Sequence, residues 1–175
     1  MPTISISYEN LCNLVGKKLP TDPFELQEVL LVCKSEVESI NGDELKLEIK
    51  DSNRPDLFSA EGIAHVLKGY YGIEKGIERQ NIGDSGVKII VDSSVKKIRP
   101  YIVGGIVRGV KIRDIRRLMD LQEKIHQTHG QKRKRIAIGL YEIDKIKPPI
   151  HYKTTAPDEN CYVPLGFDHP LTPCL

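Results

Sequence analysis

The chain has 175 residues, 39% of them hydrophobic and 29% charged, with a formal net charge of +2. This is the composition of a globular protein of one large or two small domains, and the longest strongly apolar run, Val29 to Cys33, together with the absence of a basic leader, points away from secretion and membrane spanning and toward the cytoplasm. Charge is unevenly placed: residues 1–50 carry five lysines against nine acidic residues, whereas residues 108–135 carry ten basic residues against three acidic ones, an asymmetry suited to a polyanion.

Ile4, Ile6 and Tyr8 alternate with small or polar residues and predict a first strand. Asp22, Pro23 and Glu25 form a helix-start signature for a helix running to about Cys33 with Leu26, Val29 and Leu30 buried. Val37 and Ile40, then Asn41-Gly42-Asp43, then Leu45, Leu47 and Ile49 read as a β-hairpin. Ser59 can cap a second helix whose buried stripe is Ile63, Ala64, Val66, Leu67 and Tyr70, with Gly72 at its end.

The polar, glycine-rich stretch 76–86 is read as a linker between a first domain, 1–75, and a second, 87–175. In the second, Val87, Ile89 and Val91 predict a strand, and Tyr101 to Val110 another with a bulge at Gly104-Gly105. Ile112, Ile115, Leu118, Met119, Leu121 and Ile125 recur at helical spacing, predicting an amphipathic helix over 112–129 that Gly130 terminates. Ile136 to Leu140 is expected to add a strand, and the proline-rich remainder shows no strong period. The fold class is α+β.

The four cysteines, Cys12, Cys33, Cys161 and Cys174, are scattered and read as reduced packing thiols. In the turn Asn53-Arg54-Pro55-Asp56, Asn53 and Asp56 can bond nearby backbone N–H groups while Pro55 fixes the chain; the other reading has Arg54 displayed toward phosphate or a partner subunit. His126 and His129 share a helix face as a partial metal site would, but no ligand set is completed around them, so the pair is read as packing or capping and no metal is assigned. Arg113, Arg116, Arg117, Lys124, Lys132, Arg133, Lys134 and Arg135 form the candidate set for tracking the phosphates of a nucleic-acid backbone, against the alternative of a solvated helix face and loop. Aromatic stacking platforms are absent from that segment, so sequence-specific reading of a single strand is not indicated.

Two long blocks carry a family resemblance. Asn53-Arg54-Pro55-Asp56-Leu57 with Ser59 and Glu61-Gly62-Ile63-Ala64 is similar to the first domain of the phenylalanyl-tRNA synthetase β subunit of archaeal and eukaryotic type. Leu121 through Gly130 and Lys132-Arg133-Lys134 resembles the start of that subunit's tRNA-editing domain, continued by Asp144 to Pro149 and Tyr162 to Asp168. The resemblance implies a small N-terminal α+β domain followed by the beginning of a mixed α/β editing domain, in a chain expected to continue past Leu175. It further implies an α2β2 enzyme charging tRNA with phenylalanine, in which the α subunit takes ATP and magnesium and the β subunit contributes scaffold, tRNA contacts and editing of tyrosyl-tRNA. Editing has a physical motive, since a hydrophobic pocket rejects an added hydroxyl by only about a hundredfold. No catalytic residue and no cofactor are assigned to this chain. Two rival readings stay open, a stand-alone trans-editing deacylase and a plain RNA-binding module.

Overall fold

The structure is a computed structural model that describes residues 2–51, 53–77, 81–110, 115–164 and 166–173. Its residues divide into two compact units, unit 1 comprising Met1–Gln80 and Lys111–Gly139 and unit 2 comprising Asn81–Val110 and Leu140–Leu175. The chain therefore passes between units three times, where the sequence suggested a single linker.

Unit 1 begins with strand β1, Thr3–Ser7, which buries Ile4 and Ile6 as the alternation predicts. Tyr8 does not extend it. Ser7 Oγ accepts the N–H of Asn10 at 2.9 Å and starts helix α1, Tyr8–Val15, with Leu11 and Val15 inward. Asp22 caps α2, Pro23–Leu31, by accepting the N–H groups of Phe24 and Glu25, each at 3.0 Å. The hairpin forms as β2, Ser35–Asn41, and β3, Glu44–Ile49, with an irregularity between Val37 and Ser39. The sheet is antiparallel in the order β1-β3-β2, its register setting Ile4 opposite Leu47 and Ile6 opposite Leu45.

A 3-10 turn over Pro55–Phe58 buries Leu57 and Phe58, and Ser59 then caps α3, Ala60–Tyr70, through the N–H of Gly62. Ile63, Ala64 and Leu67 face inward, but Tyr70, expected on the stripe, is exposed. Cys33 lies in this core, and burial pushes its thiol up to about 12. Helix α4, Ile115–Gln127, joins the same unit, laying Leu121 and Ile125 against the core. The four residues before it, including Ile112 and the candidate Arg113, lie outside the described residues, as does Cys174.

Unit 2 holds a short parallel pair, β4 (Ile89–Val91) and β5 (Ile150–Tyr152), with Ile90 opposite His151. Tyr152 Oη donates to the Arg99 carbonyl at 2.9 Å, and Ser94 Oγ accepts the Thr154 N–H at 3.2 Å. Two strand expectations fail: residues 101–110 and 136–140 belong to no strand and join no ladder, with Val103 97% exposed. Alternation registers a face that could be half-buried, whereas a strand also needs a partner edge. Conversely β5 forms within the proline-rich segment where no period was legible. Cys161 is exposed rather than packed. Among the described residues no helix is long and apolar enough to cross a membrane.

Candidate nucleic-acid interface

The turn Asn53 to Asp56 is closed on itself. Arg54 donates through Nε and a terminal nitrogen to the two carboxylate oxygens of Asp56, at 3.0 and 2.7 Å, a bidentate pair that leaves both side chains about half exposed. The guanidinium holds the Asp56 carboxyl below the usual carboxylate range. Gly62 fits the turn to its helix: a Cβ there would stand 1.7 Å from the Asp56 carbonyl oxygen, so no other residue lets α3 approach this closely.

Helix α4 meets this turn. His129 sets its ring edge-on to Phe58 at 6.5 Å, and Asn53 shares with Lys124, Gln127, Thr128 and His129 an open groove of about 720 Å³. Two sequence blocks some sixty positions apart thus fold together inside unit 1.

Beyond α4 the basic segment doubles back over the helix end. Gln131, Lys132 and Arg133 have φ of 47°, 56° and 65°, three successive non-glycine residues in the left-handed region, at a cost of about 1 kcal/mol or more each. Three helix side chains hold this conformation. Gln122 Nε2 donates to the Ile138 carbonyl, His126 Nε2 accepts the Ile138 N–H at 2.8 Å, and Arg133 pairs with Glu123. Gly130 admits the return, because a Cβ there would sit 2.6 Å from the Ile136 oxygen and 2.7 Å from that of His126.

His126 is buried, and its Nε2 must keep a lone pair to accept from Ile138; the ring proton then lies on Nδ1, facing Glu123 at 3.4 Å. Glu123 also accepts from Gln127 at 2.6 Å, and that bond, with His126 and the Arg133 charge, keeps its carboxyl below the usual range. Glu123, absent from the predicted set, is the hub of the segment. Its spacing to His126 and Gln127, three and four residues, is a signal the sequence does carry.

The candidate cations separate into groups. Lys132, Lys134 and Arg135 are exposed on the returning loop, Arg133 is engaged by Glu123, and Lys124 borders the groove. Arg116 and Arg117 stand near the other end of α4, roughly 15 Å away by helix rise. The Arg117 charge contributes to lowering the Asp43 carboxyl, an effect led by its bond from Ser7. Among the described residues no group of three or more His, Cys, Asp or Glu gathers as a metal site.

No protein-family model matches the chain. Individual proteins do. The phenylalanine–tRNA ligase β subunit of Methanocella arvoryzae is 43% identical over 175 residues, and that of Thermococcus kodakarensis 40% over 178, each alignment taking in 98% of this chain. A crystal structure of an N-terminal fragment of the phenylalanyl-tRNA synthetase β subunit from Pyrococcus horikoshii superposes with a TM-score of 0.82 at 37% identity, covering 98% of this chain and 50% of that one. The chain is similar in sequence and in fold to the N-terminal region of this ligase β subunit. It spans only 31% and 30% of the two curated relatives named, while the α+β fold class matches that of the solved fragment.

Proposed function

We propose that the chain acts as the N-terminal part of a phenylalanine–tRNA ligase β subunit, a non-catalytic piece of a cytoplasmic α2β2 enzyme that attaches phenylalanine to its tRNA at the expense of ATP. Homology along 98% of the chain is the observation that carries this reading. ATP and magnesium belong, on this reading, to the α subunit. Residues 1–75 supply scaffold, with the Arg54–Asp56 turn as an internal brace, and residues 87–175 supply the beginning of the editing domain.

Arg113, the basic residues of α4 and the exposed Lys132, Lys134 and Arg135 of its loop contact the tRNA backbone. Support comes from the exposure of Lys132, Lys134 and Arg135 and from the excess of positive charge over 108–135. Incubating the purified chain with tyrosyl-tRNA for phenylalanine tests the non-catalytic assignment. Release of tyrosine at the buffer rate is expected; hydrolysis clearly above it would establish a stand-alone deacylase.

A further inference from the structure

The basic run Lys132 to Arg135 is not four equivalent charges. Arg133 alone among them turns back onto α4, where its guanidinium meets Glu123 while its backbone N–H donates to the His126 carbonyl at 3.3 Å. Lys132, Lys134 and Arg135 remain exposed, and the Arg135 N–H closes the turn on the Gly130 carbonyl at 2.8 Å. The left-handed conformation of residues 131–133 is intrinsically unfavourable, so it needs an anchor, and the Glu123–Arg133 pair lies at its centre.

We infer that Glu123 is a positioning residue that withholds Arg133 as the latch of a left-handed turn, so that the loop offers Lys132, Lys134 and Arg135, and not Arg133, to a phosphate backbone. The inference deepens the tRNA contact proposed above and rests on it. A carboxylate at this place does two things: it fixes the loop, and it screens one of the four charges from an incoming polyanion. Glu123 and Arg133 are each about half exposed, so a pair of this kind is weak enough to be exchanged once the carboxylate is removed.

Each phosphate neutralised adds about 0.7–0.9 to the slope of log affinity against log salt, so the slope counts contacts. The whole chain is titrated with unfractionated tRNA over a range of salt, and loop amides are followed by hydrogen exchange. Lys132→Gln, Lys134→Gln and Arg135→Gln should each flatten the slope by about one contact, whereas Arg133→Gln should leave it unchanged. Glu123→Gln should steepen it by about one contact and speed exchange at Ile138, and the steepening should vanish in the Glu123→Gln/Arg133→Gln double variant.

If Arg133→Gln flattens the slope as its neighbours do while Glu123→Gln alters neither slope nor exchange, Arg133 is an ordinary contact and the latch is overturned, with tRNA binding by the loop intact. If Glu123→Gln loosens the loop yet none of the lysine or arginine variants changes tRNA affinity, it is the polyanion reading that fails, and the role of the latch in presenting the loop fails with it.

Discussion

Unit 1 and unit 2 use similar chemistry to different ends. In unit 1 the elements from β1 to α3 bring apolar residues to one core, from Ile4 on β1 to Leu67 on α3, and the helix that follows unit 2's first segment returns to lay Leu121 and Ile125 against it. Among the described residues of unit 2 only Val95 is a buried hydrophobic side chain, and its pair of three-residue strands is held largely by polar links such as Tyr152 to Arg99. The difference teaches where the family blocks draw their meaning. Asn53 to Ala64 and Leu121 to Gly130 are separated in sequence by the first segment of unit 2, Asn81–Val110, and they meet because both belong to the unit that has a core.

The comparison breaks most severely at Gly62. Gly62→Ala would drive a methyl into the Asp56 carbonyl, with backbone on both sides and no flexible side chain to yield. A loss of at least about 3 kcal/mol is expected, read as loss of helical signal at lower urea. A change under about 1 kcal/mol would mean that turn and helix separate freely.

A gentler test contrasts the thiols. Cys33, buried in unit 1 and raised by that burial to about 12, should resist alkylation until unit 1 unfolds, while exposed Cys161 in unit 2 reacts at once. Mass mapping after a short iodoacetamide pulse separates them. Similar rates at the two sites would remove the claim of a closed core around Cys33.

Much of unit 1 was legible because its signals are local. Asp22-Pro23 and Ser59 cap the helices they were expected to cap, and Asn41-Gly42 turns the hairpin. Helix α1 was lost because Tyr8 continues the alternation of Ile4 and Ile6, although Ser7 and Asn10 already form its cap. The apolar stretches 101–110 and 136–140 show the opposite failure: period and β-propensity are present, but a ladder is a property of two segments. At the candidate interface the charges could be counted from sequence, but not sorted. Only the left-handed run at 131–133 brings Arg133 to Glu123, and no propensity of glutamine, lysine or arginine forecasts three such residues together.

Helix α4 is part of unit 1 and is the platform to which its basic loop is clamped. Native-state hydrogen exchange across α1, α3, α4, β4 and β5 measures that directly, since elements of one cooperative unit open together. The inner amides of α4 should exchange with the same free energy, and the same denaturant dependence, as those of α3, with the Ile138 amide protected alongside them. Exchange of α4 in step with β4 and β5, or a fast Ile138 amide beside a protected α4, would contradict the claim.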